Sequence, residues 1–265
     1  MEINNSRKKE IADLAEFISN DYCPNGVVSP ELIAEKSGIT YNYGEYKDCF
    51  DSLLEHDSNE FHIYLNTQSN YSFDNVRFRF SFAHELGHHF IDEHRNALKK
   101  GKSLHKSYYR FLRKNIVEVE ADYFASNLLM PTSRFKQLVQ TKKFDFSLID
   151  SLTREFGTIL SATLFRFIEV DSYPIMVVFS RNNRIDYYWS SPDFPYQFFV
   201  EHSSKKLPPL TVAGDYYNHG VKCEDTEIVD AHEWFSSFDD IRGVKVFEKC
   251  IYPVNSNTVI SVIWQ

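Results

Sequence analysis

The sequence predicts an α+β protein, in which a mainly helical N-terminal part with a small sheet precedes a β-rich C-terminal part. Apolar residues recur at helical spacing through much of residues 5–169. From about residue 172 onward, short β-branched and aromatic runs separated by turn residues replace that spacing. We therefore expect a boundary near residue 171, and the chain of 265 residues is long enough for two domains.

The composition is that of a soluble globular protein, with 43% hydrophobic and 25% charged residues. No apolar run reaches the roughly 20 residues that cross a bilayer, and the polar N-terminus does not resemble a secretory signal. The net charge of −8 argues against direct nucleic-acid binding, and short basic clusters such as Arg7-Lys8-Lys9 are interpreted as solvated surface. Four scattered cysteines without a CxxC pair favour reduced thiols, so we expect a cytoplasmic protein.

The elements of the N-terminal part follow from periodicity and from helix start and stop signals. Apolar spacing predicts an opening helix over residues 5–20, and Ser29-Pro30 with Gly38 brackets a short second one. Residues 61–66 form a predicted strand, interpreted as a sheet edge to which an extended substrate could add. Further helices are predicted over 75–92, 117–130, 147–156 and 161–169, with a basic loop over 95–112.

Two hairpins are predicted in the C-terminal part. Residues 175–180 and 185–189 flank the turn Arg181-Asn182-Asn183-Arg184. The second hairpin joins residues 244–252 to 258–264.

The pattern His84-Glu85-Leu86-Gly87-His88 points to a metal site. On a helix, positions i and i+4 lie about 40° apart on one face, so both imidazoles can bind one Zn²⁺. Glu85 can then act as the general base, taking a proton from water and returning it to the leaving amine. Apolar flanks indicate that the helix is buried, and buried ionisable groups need partners.

A catalytic zinc site needs a third protein ligand, and the sequence offers competing candidates. Glu118 is preferred, because Asp122 follows it at i+4 and can accept the other ring N–H of a ligating histidine. Glu120 points about 200° away from Glu118 around the helix, so the two cannot share one role. His94 is the alternative, but it needs a sharp turn at Ile91, where a β-branched residue is unfavourable.

The residues leave two questions open. The oxyanion-stabilising group has several candidates in Tyr108, Tyr109, Tyr123, His89 and His94. A non-proteolytic binding protein or a ligand sensor acting through the aromatic C-terminal domain is the alternative function. The intact Glu85 argues against a purely structural metal.

Two stretches make the chain resemble the ImmA/IrrE family of bacterial metallopeptidases. The first runs from Arg79 to His88, and the second is Glu118-Val119-Glu120-Ala121-Asp122 continued to Leu128-Leu129-Met130-Pro131. The similarity spans about residues 10–170. It implies a gluzincin-like zinc peptidase with the metal on two histidines and a glutamate, which places the ligands at His84, His88 and Glu118.

The resemblance also implies a domain plan and a substrate. A zincin-like metallopeptidase domain would cover residues 1–133, a helix-turn-helix-like segment 134–171, and a β-rich domain of unknown role 172–265. Family members typically cleave a DNA-binding repressor of the XRE helix-turn-helix type, which relieves repression of stress, phage or mobile-element genes. Residues 147–169 could supply the helix-turn-helix, and because they offer only Arg154 and Arg166 as bases among several acids, DNA binding by them is not expected.

Overall fold

A computed structural model describes residues 3–67, 75–101, 115–140, 143–200, 205–237, 240–253 and 257–265. The chain divides into two compact units. Unit 1 comprises residues 1–142 and 147–163, and unit 2 comprises residues 143–146 and 164–265. The α+β class predicted from the sequence is confirmed, with a small sheet in the first unit and a larger one in the second.

Unit 1 contains most of the helices. They are α1 (Asn5–Tyr22), α2 (Pro30–Lys36), α3 (Asn75–Phe90), α4 (Asp92–Lys99), α5 (Ile116–Leu129), α6 (Thr132–Val139), α7 (Phe146–Phe156) and the start of α8 (Leu160–Val170). Side-chain caps begin three of them, where Asn4, Ser29 and Asn115 accept hydrogen bonds from backbone N–H groups of the first turn. The predicted start at Ser29-Pro30 is thus confirmed, with proline in the first turn of α2.

The small sheet of unit 1 has three strands, β1 (Thr40–Gly44), β2 (Ser52–Asp57) and β3 (Glu60–Asn66). Their order is β1-β3-β2, with β3 parallel to β1 and antiparallel to β2. The interpretation of residues 61–66 as a sheet edge is therefore wrong, because β3 has a neighbour on each side. Strands β1 and β2 lie at the two edges of the described sheet, and Ser52, the first residue of β2, donates a hydrogen bond to Glu85 on α3.

Sequence periodicity missed several elements of this unit. The predicted loop over 95–112 is wrong at its start, since α4 occupies Asp92–Lys99, and residues 102–114 lie outside the described part. Only His94 and Leu98 of α4 are buried, so its apolar stripe is too short to recognise. Strand β1 has no buried residue and therefore shows no alternation.

Unit 2 is built on a five-stranded antiparallel sheet in the order β5-β4-β10-β9-β7. Its elements are the remainder of α8, β4 (Ile175–Arg181), β5 (Arg184–Ser190), β6 (Phe198–Phe199), α9 (Val212–His219), β7 (Thr226–Asp230), α10 (Ala231–Trp234), β8 (Phe235–Ser236), β9 (Lys245–Ile251) and β10 (Thr258–Trp264). Both predicted hairpins are confirmed as antiparallel pairs. In the first, Asn182 and Asn183 have φ of 52° and 58°, the left-handed conformation that a tight hairpin turn requires.

Glu248 is a fully buried carboxylate within this second unit. It accepts hydrogen bonds from the backbone N–H groups of Val212 and Ala213 at the start of α9, and from the indole N–H of Trp234. Burial raises the pKa of Glu248, and these donors oppose the rise. The carboxylate thus links β9 to α9 and α10 inside the core.

The aromatic residues of unit 2 are divided between core and surface. Phe194 and Trp234 are buried and therefore serve as packing residues of the core. Tyr187, Tyr188 and Trp189 on β5 are exposed by 36%, 42% and 50%. The alternative sensor function of this domain stays a prediction.

Candidate metal centre

Gly87 allows helices α3 and α5 to approach closely. A Cβ atom at this position would lie 3.2 Å from the Cα and the carbonyl oxygen of Ala121, and 3.1 Å from the ring of Phe124. Glycine therefore lets the backbone of α3 pack directly against α5. This packing brings Glu118, about one turn before Ala121, level with the two histidines of α3.

His84, His88 and Glu118 form a compact set of possible metal ligands. The Nε2 atoms of the two histidines lie 3.1 Å apart. The carboxylate oxygens of Glu118 lie 3.4 Å from Nε2 of His84 and 3.6 Å from Nε2 of His88. Ligands around a tetrahedral zinc with bonds of about 2.0–2.1 Å are separated by about 3.3–3.4 Å. The three donors therefore fit a single metal ion of this geometry.

Both histidines are almost fully buried, with 4% and 1% exposure for His84 and His88. Burial alone would lower the pKa of His84, but the carboxylates of Asp122 and Glu118 outweigh it and raise this pKa to about 10. Burial and the neighbouring charge on His84 hold the pKa of His88 well below its usual range. These opposite shifts favour a single positive charge on the pair, carried by His84, with His88 as a neutral imidazole.

Two further side chains contact the HExxH residues. Oδ1 of Asp122 lies 2.9 Å from Nδ1 of His84. Glu85 is buried, and its Oε1 accepts a hydrogen bond of 2.6 Å from the hydroxyl of Ser52 on β2. The structure thus places near one another the five residues preferred from the sequence, which are His84, Glu85, His88, Glu118 and Asp122.

His94 lies behind this set of donors. Its Nδ1 is 3.2 Å from Nδ1 of His88, and its Nε2 is 3.1 Å from Oε2 of Glu120. Burial lowers the pKa of His94, although Glu120 opposes the shift. Glu120 in turn binds Arg7, whose side chain is partly buried, so the interpretation of Arg7 as solvated surface is wrong.

Of the candidates for an oxyanion-stabilising residue, His94 contacts His88 at Nδ1, the nitrogen that does not face His84 and Glu118. Tyr108 and Tyr109 lie outside the described residues. The ring of His89 packs edge-on against Phe61, and burial lowers the pKa of His89 to about 4. Its role, and that of Tyr123, stay predictions.

Sequence reasoning missed Ser52 and Arg7 as neighbours of the site. Ser52 stands in a strand that no periodicity indicated, and Arg7 lies more than 70 residues before the motif. The sequence offered one signal of a further partner. Glu118 and Glu120 are two residues apart on one helix and therefore point to different sides, so each needs a partner of its own.

A buried HExxH helix beside a second helix that supplies a carboxylate is the site of a metallopeptidase-like protein. The comparisons with known proteins agree. Residues 55–167 match the model of the peptidase M78 family, described as an IrrE N-terminal-like domain. The resemblance found in the sequence is thereby confirmed.

A transcriptional regulator of Mycobacterium tuberculosis has a similar fold, with a TM-score of 0.60 and 15% sequence identity. The similarity covers 97% of this chain and 76% of that one, and at this identity it shows the fold alone. No curated protein matches the chain. None of the described helices is long and apolar enough to span a membrane.

Proposed function

We propose that this chain is a zinc-dependent endopeptidase of the cytoplasm, with zinc on His84, His88 and Glu118. The observation that carries the proposal is the spacing of the three donors, 3.1–3.6 Å, on two tightly packed helices. Two imidazoles and one carboxylate are a ligand set typical of catalytic zinc, which keeps one coordination position open. The family supports peptidase activity in general.

The chemistry assigned to the chain is general base catalysis by Glu85. Zinc bound at this site would polarise the peptide carbonyl and activate water for attack. Glu85 follows the first ligand directly, takes the proton of the attacking water and delivers it to the leaving amine. The hydroxyl of Ser52, at 2.6 Å, holds the carboxylate of Glu85 in one orientation.

The substrate class follows from β2, an edge strand of the small sheet within the described part of the chain. It begins at Ser52, which contacts Glu85, so its edge starts beside the catalytic carboxylate. An extended peptide can add to such an edge through backbone hydrogen bonds. We therefore expect cleavage in extended or locally unfolded segments.

The proposed partner is a helix-turn-helix repressor of the XRE type, cleaved in an extended segment between its folded parts. This proposal rests on the resemblance to the ImmA/IrrE family, and the similar fold of a transcriptional regulator agrees with a regulatory role. Direct DNA binding by this chain is not proposed, since Arg166 is buried and paired with Glu169 at 2.7 Å.

Elemental analysis tests the metal site. Protein purified without added metal and then supplied with zinc should hold about one zinc per chain in the wild type and in Glu85→Gln. Glu118→Ala should lose it, while Glu60→Ala, which alters an exposed glutamate of β3, should keep it. A wild type that binds no zinc would overturn the proposal.

Mass spectrometry of newly formed N-termini tests the activity and the substrate together. Extract of the source cells is incubated with zinc-loaded wild type or Glu85→Gln, and new termini should appear only with the wild type. Termini within a helix-turn-helix repressor support the proposed partner. Termini confined to other proteins overturn that partner, and equal cleavage by Glu85→Gln overturns the mechanism.

A further inference from the structure

A chain of hydrogen bonds connects the N-terminal helix with the metal centre. It runs from Arg7 on α1 to Glu120 on α5, then to His94 on α4 and His88 on α3. Arg7 donates from Nε to Oε1 of Glu120 at 3.0 Å and from Nη2 to Oε2 at 2.9 Å. Oε2 of Glu120 lies 3.1 Å from Nε2 of His94, and Nδ1 of His94 lies 3.2 Å from Nδ1 of His88.

The positions of the hydrogens in this series of hydrogen bonds can be assigned by starting from Arg7. A guanidinium only donates, and the ionised carboxylate that it binds at both oxygens only accepts. Nε2 of His94 must therefore carry the hydrogen that it shares with Glu120. In a neutral imidazole the other nitrogen then accepts, so Nδ1 of His94 accepts the Nδ1–H of His88.

The same arrangement follows from the metal end. The atom of His88 that faces His84 and Glu118 is Nε2. A nitrogen that binds a metal has no hydrogen, so Nδ1 of His88 must carry it and needs an acceptor. Both ends of the chain thus require the same tautomer of each ring.

We propose that Arg7, Glu120 and His94 are positioning residues, which hold His88 in the tautomer and orientation that direct its Nε2 lone pair at the metal. The inference rests on the proposed function, because it takes His88 as a ligand. His84 has the shorter version of this device, a direct contact with Asp122 at 2.9 Å. Because the longer series begins at Arg7, the packing of α1 contributes to the orientation of His88.

Glu120→Gln is the decisive variant, and Glu93→Gln is its matched control. A glutamine has one acceptor oxygen, which Arg7 would occupy, and its NH₂ group would then face Nε2 of His94. The hydrogen bonds would reverse and move the proton of His88 to Nε2. Glu93 also binds Arg7, at 3.0 Å, but among the described residues its carboxylate shows no hydrogen bond to a histidine, so Glu93→Gln repeats the chemical change outside this series of hydrogen bonds.

Two properties are measured on the full-length protein. In the zinc-free protein, ¹⁵N NMR of the His88 ring should show a protonated Nδ1 in the wild type and in Glu93→Gln, but a protonated Nε2 in Glu120→Gln. Competition with a chromophoric chelator should show zinc affinity reduced about 10–100-fold in Glu120→Gln but not in Glu93→Gln. Arg7→Gln leaves the carboxylate of Glu120 as an acceptor for His94, so the tautomer of His88 should not change. It weakens the two hydrogen bonds that hold this carboxylate in place, so zinc affinity should fall, and this variant tests the proposal where Glu120→Gln does not fold.

An unchanged His88 tautomer and unchanged zinc affinity in folded Glu120→Gln would overturn the proposal, and so would unchanged zinc affinity in folded Arg7→Gln. Equal losses in Glu93→Gln would do the same, since they would reflect a general effect of altering Arg7's partners. Failure of the wild type to bind zinc would instead overturn the proposed function. The tautomer, measured without metal, distinguishes these two results.

Discussion

At the scale of single residues, His84 is the position where a proton and a metal ion compete. Its pKa is raised to about 10 by Asp122 and Glu118, against the opposing effect of burial. Nε2 must lose its hydrogen before it can bind a metal. At every pH below about 10, zinc must therefore displace a proton, and zinc affinity should rise about tenfold per pH unit.

Calorimetry of zinc binding at pH 6.0, in buffers of different ionisation enthalpy, measures this exchange. We expect about one proton released per zinc in the wild type. The raised pKa of His84 favours its imidazolium form, whereas the lowered pKa of His88 favours a neutral ring. Asp122→Asn removes the closest charge from His84, which lowers its pKa, so the proton count should fall. Zinc binding without proton release in the wild type would contradict the assignment.

The relative positions of the candidate site residues could be predicted where the geometry is local. The positions of His84, Glu85 and His88 follow from helix periodicity, and so does the pairing of Glu118 with Asp122 on one face of α5. Ser52 and Arg7 could not be predicted, because they reach the site through sheet pairing and helix packing. The surroundings of His94 likewise depend on α4, which the sequence did not indicate.

At the scale of elements, the site depends on the distance between α3 and α5. Gly87→Ala places a methyl group 3.1–3.2 Å from Ala121 and Phe124, closer than ordinary van der Waals contact, so the helices must separate by a few tenths of an ångström. His84 and His88 move with α3, whereas Glu118 moves with α5. We therefore expect weaker zinc binding, by about tenfold, although alanine favours helix formation more than glycine does.

Chelator competition measures this loss. The control is Ala97→Gly, a change of the same size in the opposite direction on the neighbouring helix α4, which should leave zinc affinity unchanged. Gly87→Ala with wild-type zinc affinity would show that α3 and α5 can separate without disturbing the ligands.

Long elements with a buried stripe were the predictable ones. Helices α1, α3, α5, α7 and α8 and the four strands of the two C-terminal hairpins lie within a few residues of their predicted bounds. Strand β1 was missed because it buries no side chain, and α4 because it buries only two. The central position of β3 could not be derived, because two of its own partners were not recognised.

At the scale of the whole molecule, each of the two units has a hydrophobic core within the described residues. One is formed by residues between Ile11 and Leu129, and the other by residues between Met176 and Ile263. The proposed metal centre lies in the first unit, whereas Trp189, Trp234 and Trp264, the three tryptophans of the chain, lie in the second. Tryptophan fluorescence therefore reports on unit 2 alone, and hydrogen exchange of peptides from α3 and α5 reports on unit 1.

Because a ligand stabilises only the structure that binds it, zinc should protect α3 and α5 without moving the fluorescence transition in urea. At a free zinc concentration 100 times Kd, the stabilisation of unit 1 should be about 2.7 kcal/mol. Glu118→Ala should abolish the protection.

Glu248→Gln is the reciprocal change, since it leaves donors at the start of α9 unpaired and should destabilise unit 2 by about 3 kcal/mol. It should lower the midpoint of the fluorescence transition and leave exchange in α3 and α5 unchanged. A zinc-dependent fluorescence midpoint would mean that the two units unfold together, which would make the C-terminal unit part of the energetics of the metal site.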